Sequence, residues 1–404
     1  MTRQKGAHYN IMYPHFQQIQ EYIDSNRENI LEMFRTLVNL EGHYKEKENV
    51  EKARDYVQKL LEQEGFVCRT REVAEDRAGT LIGILGEDRP GKPILFSGHV
   101  DTVFYAGTFD GPNPFHVKDV KAYGPGVLDM KGGIIIALAA IQALNHIGFR
   151  ECPIKVVFLG EEESDHEGSI GDQIVTEEAR GCRFAFNMEV SRLNNSVSVA
   201  RKGQHIFYMH VEGTGGHAGN DFWKGTNAIN EAVLKIQEML KLTNAETETT
   251  VTPSIIHGGS HQCAIAASCD VTFDVRVATE QERERVFSEV DRIMNTTFIS
   301  GTTTTYRFFS AKLPPLRPTP DVLALYEFIN VISEDNGFGH IDKILQGGSN
   351  DAGNIQKAGI PVICSCGTRG EFAHNQKEYC LLESVYDRAK IFATAVANFD
   401  RFSL

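Results

Sequence analysis

Short apolar runs that alternate with helical stretches, and that end on acidic or imidazole side chains, narrow the folds open to this chain more than any other feature. Pro93-Ile94-Leu95-Phe96-Ser97 runs into Gly98-His99-Val100-Asp101-Thr102. Ile154–Leu159 runs into Gly160-Glu161-Glu162-Glu163, and Phe184–Met188 into Glu189. A run at 361–365 leads through a glycine-containing loop to His374. The stretch Gly132–Leu144, GGIIIALAAIQAL, is apolar nearly all round and reads as a buried helix. It comes after the loop Gly124-Pro125-Gly126-Val127-Leu128-Asp129. Strands alternating with helices predict βαβ units and an α/β fold with a mixed, mostly parallel sheet flanked by helices. Residues 16–41 and 49–64 read as helices before the first strand. In the second of these, Ala53, Tyr56, Val57, Leu60 and Leu61 form one stripe and Gly65 a stop.

The middle of the chain changes character. Residues 205–212 alternate, with Phe207, Met209 and Val211 on one face. Residues 226–241 read as an amphipathic helix with Ile229, Val233, Ile236 and Leu240 inward. Residues 251–257, 270–277 and 303–309 read as strands, and Thr279 with Glu282 opens a helix as a capping box. The order β-α-β-β-α-β is that of a ferredoxin-like α+β unit. A proline-rich stretch at 314, 315, 318 and 320 marks its end, and helices near 321–335 and 381–400 resume the α/β pattern. The expected organisation is therefore one domain made of residues 1–202 and 314–404, interrupted by a second at 203–313.

A chain of 404 residues has room for two or three such units at ~100–200 residues each. A net charge of −13 disfavours binding to nucleic-acid phosphates. No apolar run reaches the ~18 residues of a membrane span. The opening MTRQKGAHYNIMYPHF lacks an apolar core and a small-residue cleavage site, so no secretory signal is expected. Eight cysteines scattered along the chain read as reduced thiols, and the expected location is cytoplasmic.

Each polar group at a strand end is weak alone. His99 beside Asp101 also reads as a turn pair, Glu161-Glu162-Glu163 as a solvated acidic run, and Asp129 as a helix cap. Their shared location carries the argument, because the carboxyl ends of parallel strands form the ligand crevice of an open sheet. Two histidines and several carboxylates there make a transition-metal ligand set, rich enough for two ions.

The stretches FSGHVDTV, GPGVLDMKGG, FLGEEESD, FNMEVS, GTGGHAGNDFWKGTNAI and EFAHNQKEY resemble, in order and spacing, the co-catalytic di-zinc metallopeptidase family. That family includes glutamate carboxypeptidase, peptidase T, acetylornithine deacetylase, succinyl-diaminopimelate desuccinylase and the aminoacylases. The resemblance implies a zinc-peptidase-like catalytic domain, an inserted ferredoxin-like lid and a homodimer formed through that lid. It implies two divalent metal ions, zinc first, with cobalt or manganese as alternatives. It makes His99, Asp129, Glu163, Glu189 and His374 metal ligands, with Asp129 bridging, and Asp101 the carboxylate that orients His99. Glu162 becomes the general base, although a shift in the acidic triplet would give that role to Glu161 and the ligand role to Glu162. His217, in the lid, stabilises an oxyanion in the partner subunit's site. Arg276 binds the substrate's carboxylate, with Gly348 and Ser349 in a glycine-rich loop beside it; the alternative for Arg276 is a pair with Asp274. Glu189, rather than aspartate, leans towards carboxypeptidases and acylases.

There are departures from the family pattern. Cys263 stands where many relatives have asparagine, no proline comes after the His217-Ala218-Gly219 motif, and Ser164-Asp165-His166 lengthens the turn after the acidic triplet. The implied activity is hydrolysis of an amide in a small peptide or N-acyl amino acid with a free carboxylate. N-acyl amino acid deacylation is the close alternative, and a catalytically silent binding module the distant one. A dinucleotide-binding oxidoreductase is disfavoured, since no GxGxxG comes after the first strand.

Overall fold

Six strands make the central sheet, in the order Val67–Arg71, Ala78–Leu85, Ile154–Gly160, Ile94–His99, Phe184–Asn187 and Val362–Ile363. The last four run parallel, whereas the first two pair antiparallel with their neighbours. The sheet is therefore mixed, and the two antiparallel strands are additions to the sequence reading. The computed structural model describes residues 13–402; the expectation about the opening stretch rests mainly on residues 1–12, outside that range.

The sheet is buried on both faces. On one, Phe96, Phe158 and Phe186 pack with the helices Phe16–Ser25, Arg27–Asn39, Lys47–Gln63, Lys131–His146 and Glu383–Ala397. On the other, Leu95, Val157 and Ala185 meet Ile174 and Ile355 of the helices Gly171–Ala179 and Ala352–Lys357. The all-apolar helix occupies the interior as its composition requires, with Lys131–Ala143 almost wholly buried. The single helix expected over 16–41 breaks at Asn26, whose side chain donates to the carbonyl of Tyr22 at 2.8 Å and competes with the helical bonds there.

A second sheet, all antiparallel, has the order Thr250–Gly258, Ser268–Val277, Gly203–Glu212 and Thr303–Leu313. The helices Ala228–Leu240 and Glu280–Asn295 cover one face around Phe207, Met209, Phe273 and Val275. Thr279 caps the second helix, its hydroxyl accepting from the Glu282 amide. The first helix is turned relative to expectation. Val233 and Leu240 are exposed, and the buried face carries Ala228, Glu231, Ala232, Lys235 and Met239. A fully buried pair explains the turn. The Lys235 ammonium donates to the carbonyls of Ile293, Met294 and Thr296, and the Glu231 carboxylate accepts from the amides of Phe298 and Ile299. Charges satisfied by a neighbouring helix end outweigh the apolar stripe.

Phe186 touches Phe96, Phe184 and Phe392, with ring centroids 5.7, 5.3 and 4.8 Å away, and is fully buried. Phe186→Ala should lower the unfolding free energy by about 3–5 kcal/mol, read as a fall in the urea midpoint.

Candidate functional site

Five chain segments converge at the carboxyl ends of the parallel strands, three from strand ends and two from loops. His99 is the last residue of its strand, Glu162 and Glu163 come after Ile154–Gly160, and Glu189 after Phe184–Asn187. Asp129 and His374 arrive from loops, and a small sheet brings those loops together. Tyr379–Leu381 pairs on one side with Gly370–Glu371 and on the other with Lys121–Tyr123. His374 sits in the first connection, with φ 63 in the left-handed region, and Asp129 lies just beyond the third strand.

Asp129 is shared between two groups. Its Oδ1 is 3.4 Å from His99 Nε2, and its Oδ2 is 3.2 Å from His374 Nε2. Glu189 lies 3.6 Å from His99 Nε2, and Glu163 lies 3.2 Å from His374 Nε2. Two triads that could each hold a metal ion result: His99, Asp129 and Glu189, and Asp129, Glu163 and His374, each with its candidate ligand atoms within 4.8 Å of one another. Glu162 stands beside them, 3.8 Å from His99 Nε2.

Asp101 is fully buried and holds two parts of this arrangement. Its carboxylate accepts from the amides of Glu162 and Glu163 at 3.2 and 3.0 Å and stands 3.4 Å from His99 Nδ1, which also meets the Asp101 carbonyl at 3.0 Å. The acidic triplet is thereby placed in one register. Glu161 points away from both histidines: its carboxylate takes the Ser164 hydroxyl at 2.6 Å and meets His166 Nδ1 at 2.7 Å. His166 in turn reaches Asp351 at 3.0 Å, and all three side chains are buried. The lengthened turn thus pins the acidic segment to the loop before Ala352–Lys357.

Glu378 was missed in the sequence. Its carboxylate accepts from the amides of Leu128 and Asp129 at 2.7 and 3.0 Å and so fixes the Asp129 loop. Burial pushes its carboxyl up to about 8. Lys131, also missed, is buried and donates to the carbonyl of Leu40 at 2.8 Å, and burial pulls it down to about 8. The only signals were their neighbourhoods, the HNQKEY and DMKGG stretches. The glycines of the latter have a steric reason. A Cβ on Gly133 would stand 1.9 Å from the Met188 carbonyl oxygen, and one on Gly132 2.5 Å from that of Val127.

The electrostatics call for added positive charge. Burial first, and the neighbouring carboxylates second, drive Glu162 well above the usual range against the pull of His99. Burial pushes Glu189 up to about 7 and raises Glu163 as well. His374 is pushed up to about 11 by its contacts with Asp129 and Glu163. Burial alone would raise Asp129, but the two histidines hold it below its usual value. His99 Nε2 and Glu163 Oε1 are buried with no hydrogen-bond partner. Orphaned polar atoms amid five carboxylates and two imidazoles are costly unless a cation supplies the missing contact. This nitrogen and oxygen donor set fits divalent metal ions.

The remaining predicted residues belong to neither triad. Arg276 makes the bidentate pair with Asp274, at 2.8 and 2.9 Å, while its Nη1 meets the Ser349 hydroxyl at 3.2 Å. Gly348 accepts from Arg201 at 3.0 Å, and Ser349 donates to the Lys202 carbonyl at 2.7 Å. His217 is exposed, and its Nδ1 accepts from the amides of Gly219 and Asn220. Cys263 is exposed, and all eight cysteines are unpaired.

Residues 95–398 match the model of Peptidase family M20/M25/M40, and the chain belongs to that family. It is 29% identical over 261 residues to carboxypeptidase G2 of Pseudomonas sp. (strain RS-16), covering 63% of this chain and 61% of that protein. It is 27% identical over 235 residues to an acetylornithine deacetylase of Buchnera aphidicola, covering 55% of this chain and 60% of that one. The chain thus spans about three fifths of the length of these curated relatives. In fold it is similar to the aminopeptidase PepT from Bacillus cereus ATCC 10987, with a TM-score of 0.77 at 19% identity over 92% of this chain and 98% of that one. Among the described residues no helix is long and apolar enough to cross a membrane.

Glu378 orients the Asp129 loop without belonging to either triad. Glu378→Gln should weaken metal affinity by about 10–100-fold, measured by competition with a chromogenic chelator.

Proposed function

We propose that this protein is a metal-dependent amide hydrolase that cuts a small peptide or N-acyl amino acid bearing a free carboxylate. The observation that carries the reading is Asp129, whose two oxygens face two separate triads in a buried, carboxylate-rich centre. His99, Asp129 and Glu189 would hold one ion, and Asp129, Glu163 and His374 the other, with zinc the first choice and cobalt or manganese alternatives. Bound there, the ions would lower the pKa of an attacking water and polarise the scissile carbonyl.

The chain's own groups supply the rest. Glu162 takes a proton from the water at its carboxylate and later passes it to the leaving amine. Asp101 keeps His99 and the Glu162 amide in place. Arg276 offers Nη1 beside Ser349 to the substrate's carboxylate, while its other edge stays with Asp274. Gly348 and Ser349 line that position.

Residues 203–313 act in this reading as a lid and as the dimer interface of a cytoplasmic homodimer. Support comes from apolar groups left in water on that unit: Val233 and Leu240 on its helix, and Ile255 and Ile256, 51% and 52% exposed, on its edge strand. His217, exposed on the same unit, then serves the partner subunit's site as an oxyanion donor. The relatives leave two substrate classes, since one is named a carboxypeptidase and another a deacetylase.

The test is amine release from a panel of dipeptides and N-acyl amino acids, run on zinc-, cobalt- and manganese-loaded protein. Glu162→Gln should cut kcat by about 10²–10⁴-fold while metal content stays unchanged. Full activity in that variant would remove Glu162 as the base. Metal uptake with no turnover on any substrate of the panel would favour a silent binding module.

A further inference from the structure

A cavity of ≈ 470 Å³ opens where the chain crosses from the second sheet back to the first, at Pro314 and Pro315. None of its lining residues belongs to the two triads. His205, on its wall, belongs to Gly203–Glu212 and shares the face of Phe207 and Met209, against the helices; its ring meets Phe287 edge-on at 4.9 Å. Gln204 alternates to the opposite face, as does Arg276, which pairs with it across the ladder and reaches Ser349.

His205 is fully buried, and neither ring nitrogen has a hydrogen-bond partner. Leaving both unpaired costs free energy, part of which a ligand accepting from the ring N–H would recover. Burial, with the nearby Arg283 charge, pulls its pKa down to about 4, so at neutral pH the ring is uncharged and keeps one N–H to donate. The charges around it are unbalanced. Arg283 pairs with Glu280, and Lys312 lies 3.5 Å from Asp172. Arg317 and Lys357 complete the wall, and no acidic group among the described residues pairs with either. This local surplus of cations stands in a chain of net charge −13.

We propose that this cavity binds a compact dianion, a phosphate group or a dicarboxylate, held by Arg317 and Lys357 from one side and by His205 and Arg283 from the other. Such a ligand joins groups of the 203–313 segment to groups of the segment after it, and so ties the second sheet to the first. The guanidinium of Arg317 suits either anion through paired N–H donors.

The test is calorimetric titration of the metal-loaded protein with inorganic phosphate and, separately, with succinate. Arg317→Gln/Lys357→Gln serves as the comparison, because both side chains are exposed and their loss leaves the core intact. One anion should bind the wild type at one per chain and bind the variant at least about tenfold more weakly. It should also raise Tm in the wild type more than in the variant, while the two share one Tm without anion. The anion that binds names the source. Absence of binding by both anions, or equal affinity in wild type and variant, overturns the proposal. The readouts are independent of turnover, so a failure here leaves the hydrolase reading untouched.

Discussion

A single carboxylate with both oxygens committed is the constraint on which the rest of the site depends. Asp129 faces His99 through one oxygen and His374 through the other, and neither histidine lies near it in sequence. Everything nearby keeps that group still. Glu378 grips its amide, the small sheet of Lys121–Tyr123 and Tyr379–Leu381 fixes the separation of the two loops, and the buried helix seals it from below. The accumulated negative charge would be unaffordable in a dry site without cations, so the same geometry that crowds the carboxylates together also creates the affinity.

Much of this was legible in the sequence, for a physical reason. A parallel strand is a short apolar run, and the residues just past its carboxyl end sit in the crevice. His99, the Glu161–Glu163 triplet, Glu189 and His374 could be placed together on that basis alone. The strands that bring Asp129 and His374 together are three and two residues long, too short to announce themselves. The register of the acidic triplet was open for a similar reason. Glu161, Glu162 and Glu163 are chemically alike, and only the buried His166 separates the first from the others. Glu378 carried no signal beyond its place in the HNQKEY stretch, because its work is done on backbone amides, which leave no trace in side-chain patterns.

The second sheet shows where hydrophobic periodicity misleads. Ile229, Val233, Ile236 and Leu240 form a clean stripe, yet two of them face water while Glu231 and Lys235 are buried. Periodicity measures which face is apolar, not which face has the better partner. The adjoining helix end offered free carbonyls to Lys235, and the loop after it offered free amides to Glu231. The strand Gly203–Glu212 divides its two faces in the same way, with Gln204 turned towards Arg276 and His205 towards the helices.

Gly133 sets the clearance between the buried helix and the strand end that carries Glu189. The spacing of the two triads is thus gauged partly by atoms that are absent. The side chains of the centre set which atoms face one another, while the backbone contact at Gly133 sets how closely the helix and the strand end approach. One methyl group added at Gly133 would press on the backbone just before Glu189 and so act on the centre through its frame, as a shim does in a closed joint.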